Sequence, residues 1–229
     1  MTPRVGSDIY WFAEQGLYDG LFLMKDETTG TFWDHMTGRA VYGPDVGETL
    51  AVQGLMQTTA GQVLVNDPDA MITLSDQAIR TDDDMKVEGL LAGIRGRLSR
   101  MFQSTVEEND TRRTQMDLGL GLWNDTEARY YPMDLVRAEG RVIVDDFAGE
   151  RVVVIIDPTT FILAAFRTDA ESAEWDGEVL RLSDGTYVEN GVLRSGGGDP
   201  VENARPVQVF TRWYGFSATF PHTEIHGEG

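Results

Sequence analysis

The chain has 229 residues, 41% of them hydrophobic and 10% aromatic, which is enough to bury a sizeable core. Its net charge of −19 argues against a nucleic-acid binder, which must neutralise phosphates with Lys and Arg, and disfavours an anionic membrane surface as partner. The complete lack of cysteine removes disulfides, thiolate nucleophiles and cysteine metal sites together.

No apolar run approaches the roughly 20 residues that a membrane-spanning helix needs. Residues 1–7 lack the basic start and apolar stretch of a secretory leader. These features predict a soluble, cytoplasmic chain. In chain order, residues 8–23 are aromatic and apolar, which suits a short turn of helix followed by a strand over 21–25. Gly30 supplies a hairpin turn, residues 31–34 return as a strand, Met36-Thr-Gly38 turns again, and residues 39–42 form another strand. Residues 49–53 and 70–74 read as strands, while 56–65 fits helix or strand. Apolar residues at Val87, Leu90, Leu91, Ile94, Leu98, Met101 and Phe102 form one stripe and predict the main amphipathic helix over about 82–103.

The β pattern then resumes. Residues 118–123 and 127–131 flank Asn124-Asp-Thr as a hairpin, and 133–136 form a helical turn after Pro132. Residues 141–145 and 151–157 flank Phe147-Ala-Gly149, and 160–167 continue as a strand. Val152–Ile156 is an unbroken β-branched run, the mark of a strand buried on both faces. Residues 179–182, 186–189 and 192–194 are short strands parted by Asp184-Gly and Asn190-Gly turns. Residues 207–220 read as a final aromatic strand or strand and turn.

Two stretches share an order of features. Leu23-Met-Lys-Asp with Gly30-Thr-Phe-Trp-Asp-His-Met-Thr-Gly-Arg-Ala parallels Leu180-Arg-Leu-Ser-Asp with Gly185-Thr-Tyr-Val-Glu-Asn-Gly-Val-Leu-Arg-Ser. Each is followed by a proline turn, at Pro68 and at Pro221. The expected fold is therefore α+β and β-dominated. It is a single domain of two related antiparallel β halves, at about 20–75 and 176–227, barrel- or sandwich-like, with one main helix.

The segment Gly30-Thr-Phe-Trp-Asp-His-Met-Thr-Gly-Arg-Ala-Val-Tyr-Gly-Pro44 also resembles the bacterial and archaeal family grouped as domain of unknown function 3179. So do Ala128-Arg-Tyr-Tyr-Pro-Met-Asp-Leu135, Asp146-Phe-Ala-Gly-Glu-Arg-Val-Val-Val154, the strand through Phe166-Arg167, and Arg212-Trp-Tyr-Gly-Phe216 with Phe220-Pro221. The resemblance covers most of the chain apart from the predicted helix and the polar connection after it. It implies a fold and no activity. A Cys-Pro-x-Cys turn is common in that family where this chain has Asp157-Pro-Thr-Thr160, and the departure removes any thiol chemistry.

Chemistry has few places to sit. On a strand, His222, Glu224 and His226 share one face, and two imidazoles with a carboxylate suit a divalent transition metal as cofactor. The competing reading is an exposed edge strand near the terminus. His35 is the candidate acid–base residue, with Asp34 beside it, and the competing reading makes Asp34 a turn cap. Arg212, next to Trp213 and Tyr214, is a candidate anion contact or a paired core residue. Two functions fit. One is a small-molecule enzyme with a His-lined, metal-binding pocket. The other is a non-catalytic ligand-binding or homo-oligomeric assembly module.

Overall fold

The computed structural model describes residues 4–18, 21–54, 56–71, 105–106 and 110–228. The helix predicted over 82–103 and most of the strand predicted over 70–74 lie outside the described residues. Among the described residues strand outweighs helix by 41% to 11%, in several antiparallel sheets with no closed barrel.

The first part of the chain pairs β1 (Arg4–Val5) with β2 (Asp8–Ile9). It continues as a meander of β3 (Phe12–Tyr18), β4 (Leu21–Asp26), β5 (Phe32–Asp34) and β6 (Ala40–Tyr42). Among the described residues before Leu21 the expected helical turn is absent. Residues 12–18 run as a strand with a bulge between Glu14 and Leu17, where Gly16 takes a φ of +84°. Residues 49–53 form only a bridge from Thr49 to Arg39, although Leu50 is buried. Helix α1 (Ala60–Asn66) settles the ambiguous stretch. Thr59 and Gln62 cap each other reciprocally at its start, satisfying otherwise free N–H groups.

The second meander, β12 (Ala173–Asp176), β13 (Val179–Leu182), β14 (Tyr187–Glu189) and β15 (Val192–Arg194), has the same strand order. Its Asn190-Gly191 turn has positive φ at both residues, as a two-residue hairpin requires.

Between them lies a three-stranded sheet, β9 (Val142–Phe147), β10 (Glu150–Ile156) and β11 (Leu163–Arg167), with β10 in the centre. Val152, Val154 and Ile156 join one apolar cluster with Leu120, Leu122 and Tyr131. Val153 and Ile155 join another with Phe166, Leu180 and Val188. The β-branched run is thus buried on both faces, as its composition predicts.

The fourth sheet, in order β16 (Gln208–Arg212), β7 (Leu118–Trp123), β8 (Ala128–Pro132) and β17 (Glu224–Ile225), is antiparallel except that β17 runs parallel to β8. The short helix α2 (Met133–Ala138) follows Pro132. Residues 213–219 are not strand but helix α3 (Trp213–Thr219). Trp213, Phe216 and Phe220 recur at helical spacing. The first two are fully buried against Tyr130, and Phe220 packs on them from partial burial. Among the described residues no helix is long and apolar enough to cross a membrane.

Candidate functional site

The Gly30–Pro44 motif is first a folding device. The buried Asp26 carboxylate accepts the backbone N–H groups of Thr28, Thr29 and Thr31 and the indole N–H of Trp33, at 2.6 to 3.1 Å. Trp33 is fully buried and anchors a small core with Tyr10, Ala40 and Leu50. Gly38 has a φ of +73°, and a Cβ there would stand 2.7 Å from the Leu50 carbonyl oxygen.

Asp34 makes the next turn. Its Oδ1 accepts Met36 N–H at 2.7 Å and Thr37 N–H at 3.0 Å, and its carbonyl accepts Gly38 N–H at 2.9 Å. The carboxylate is therefore committed to the backbone. The same turn sets His35 and Met36 on the wall of a cavity of about 220 Å³.

That cavity lies where three regions meet. Leu120 and Trp123 of β7 and Gln208 to Thr211 of β16 line it, as do Leu163 and Ala164 of β11, the 35–36 turn, and Val52, Gln53 and Gln57. The walls are mostly apolar. Gln208 is buried, and its amide is spent on the backbone of β11, accepting Ala165 N–H at 2.8 Å and donating to the Ala165 carbonyl at 3.0 Å. Arg205 also borders the cavity. Its Nη2 donates to the Gly191 carbonyl at 2.6 Å, and its guanidinium carbon sits 4.6 Å from the centre of the Phe166 ring. Burial pushes Arg205 down to about 10, and the charge of Asp157 only partly offsets this. No carboxylate lies within ion-pair distance of it among the described residues.

The other expected residues lie elsewhere. Arg212 donates from Nη1 to the Met116 carbonyl at 2.9 Å and precedes α3, so it fastens a connection and does not enter the cavity. At the C-terminus only Glu224 and Ile225 are strand, and His222 and His226 lie in the turns on either side. Thr223 and Ile225 are buried, while His222 and Glu224 are exposed. Glu224 and His226 are nevertheless engaged separately. Glu224 accepts Arg129 Nε at 3.0 Å and Nη2 at 2.7 Å. His226 stacks on Tyr131 at 5.2 Å, with Nδ1 3.2 Å from Asp145 Oδ2. Among the described residues no three His, Asp or Glu side chains converge as a metal-binding group.

Asp145 also accepts the Tyr131 hydroxyl at 3.0 Å and Arg129 Nη1 at 2.9 Å. Burial pushes this carboxyl up, but the hydrogen bonds from His226 and Tyr131 and the Arg129 charge outweigh it and hold Asp145 well below the usual carboxylate range. His226 is raised in turn, first by its bond to Asp145 and against the opposing effect of burial. This polar group fastens the C-terminal segment to β8 and β9. In the sequence Asp145 only closes the strand read over 141–145, and nothing local to Arg205 marks it as a cavity residue. Only the fold assembles these positions.

Fold and cavity together define a β-dominated protein with a compact, mostly apolar pocket that carries one imidazole and one cation on its walls. The chain belongs to the family described as Protein of unknown function (DUF3179), whose profile matches residues 2–223. No curated protein and no solved structure matches it.

Proposed function

We propose that this protein binds a compact small molecule in the cavity between β7, β11, β16 and the His35 turn. The observation that carries this reading is that His35, the one histidine not tied into the C-terminal polar group or left on an exposed turn, stands on the wall of an apolar cavity. An apolar cavity of about 150 Å³ is large enough to take benzene, so about 220 Å³ admits a ring with a short substituent. Trp123 and Phe210 supply flat apolar surface, and His35 is the group able to move a proton next to it, which is what an enzyme reading requires. The assembly reading draws on a different feature, the exposed Trp11, Tyr18, Val41 and Tyr42 of the first meander and its approach.

Methionine-methyl NMR tests the binding reading directly. Met36 lines the cavity, while Met71 is almost fully exposed. A set of uncharged single-ring fragments should shift the Met36 signal, assigned through Met36→Leu, and leave Met71 in place. Fragments that move no methyl, or only exposed ones, would refute a binding cavity here.

A further inference from the structure

We propose that the ligand of this cavity is an organic carboxylate with a small apolar body, and that Arg205 receives its acid group. The proposal rests on the small-molecule reading of the same cavity and adds the chemical class of what enters it.

The argument starts from charge. The sequence has 38 acidic residues against 19 basic ones, so carboxylates are plentiful. Other arginines show it: Arg113 pairs with Asp117, Asp134 and Glu228, and Arg129 pairs with Asp145 and Glu224. Arg205 is half-buried, and among the described residues the one hydrogen bond its guanidinium makes goes to a neutral carbonyl. The acid whose charge acts on it, Asp157, is already engaged. Its Oδ1 accepts the N–H groups of Thr159 and Thr160, and its Oδ2 accepts the amide of Gln62. A desolvated cation without a counter-charge is costly, and the cost falls when an anion arrives.

Geometry supplies the rest. The Phe166 ring lies against the guanidinium carbon, which limits how the fork can turn. The bond to Gly191 uses one N–H, and among the described residues the others have no hydrogen-bond partner, which leaves a fork that suits a carboxylate better than a spherical ion. The same side chain borders a second, more open hollow of about 470 Å³, lined by Gly54, Phe166, Gly191 and Val201 and sharing Val52 and Gln53 with the first. The acid group is thus placed at the junction of the two, and the apolar body lies toward Trp123 and Phe210.

Titration calorimetry with benzoate and phenylacetate, against their uncharged amides benzamide and phenylacetamide, separates the parts of this reading. The acids should bind about tenfold or more tightly than the amides, and Arg205→Met should remove that preference while amide binding persists. Arg205→Lys, which keeps the charge but not the fork, should retain part of it and guards against a folding defect in the Met variant. Equal affinity of acids and amides in the unaltered protein would overturn the carboxylate assignment and leave the cavity reading standing. Binding of inorganic phosphate as tight as benzoate would overturn the apolar body. Binding by none of the four ring compounds, with Met36 unmoved, would overturn the cavity reading itself.

Discussion

Gly121 lies directly beneath the ring of Phe216: a Cβ at position 121 would fall well inside contact distance of three ring carbons. Its neighbour Gly119 is covered in the same way by Tyr130, whose Cζ would be 2.5 Å from an added Cβ. In Leu118-Gly-Leu-Gly-Leu122, Leu120 and Leu122 face one core, while the glycines let two aromatic rings lie flat on the backbone of the other face. Gly121→Ala should therefore cost about 2 kcal/mol through overpacking, read as a fall in Tm of about 6 °C. Combining it with Phe216→Leu should recover part of the loss, since the two sites are coupled. An unchanged Tm for the single variant would contradict the stacked arrangement.

Asp26 has no exposed surface, and both of its carboxylate oxygens accept from N–H groups. In Asp26→Asn, whichever way the amide turns, its NH₂ meets a donor. A loss of about 3 kcal/mol is expected. Burial raises the Asp26 carboxyl, but the bonds from Thr29 and Trp33 win and its pKa is lowered. The stabilisation is thus complete above the unfolded value of about 3.9 and is lost as pH falls through the lower folded one. Melting curves between pH 5 and pH 2 should be steeper for the parent than for the Asn variant. Parallel curves would refute this role.

The His226 latch has the opposite sign. Its folded pKa is raised, so its contribution is fully present below about 6.5 and is lost as pH rises through the folded value. Amide exchange of residues 224–228 should accelerate more over that rise than chemistry alone dictates. His226→Gln should abolish the excess. The groups facing the ring are Asp145, Tyr131, Glu139 and Arg129, and of these Asp145 remains ionised throughout the range.

Gln208 joins β16 to β11 through its side chain, imitating a strand pair at Ala165. Gln208→Leu keeps the volume but leaves both backbone groups of a fully buried residue unpaired, at a cost of about 2 kcal/mol. Because the residue also lines the cavity, Met36 methyl shifts on fragment binding should change with it. Full stability with unaltered fragment shifts would show that the amide is dispensable.

Local pattern made much of the β framework legible. The run Val152–Ile156, the Asn190-Gly191 turn and the Asn124-Asp-Thr turn after β7 each state their conformation within a few residues. Helix α3 was hidden because Trp213, Tyr214 and Phe216 have high strand propensity, and only their burial against Tyr130 reveals the helical period. The first meander was half legible: its turns are spelled by Gly30, Asp34 and Gly38, but the bulge at Glu14 to Leu17 is not. The cavity could not be read from the sequence. His35 stands out by rarity, yet Arg205 reaches it only through the pairing of β16 with β7, and Asp145 meets His226 across 81 positions.

The placement of β10 between two cores has one more consequence. Sliding a strand by one residue normally turns its apolar face to water, and that penalty holds it in place. Here such a slip would exchange Val152, Val154 and Ile156 for Val153 and Ile155, and oil would still meet oil on either side. The strand must be pinned by its ends. At one end Ala148 and Gly149 take φ values of +53° and +80°; at the other, Asp157 gathers the N–H groups of Thr159 and Thr160. Loosening either end should let the most deeply buried strand drift out of alignment without ever becoming wet.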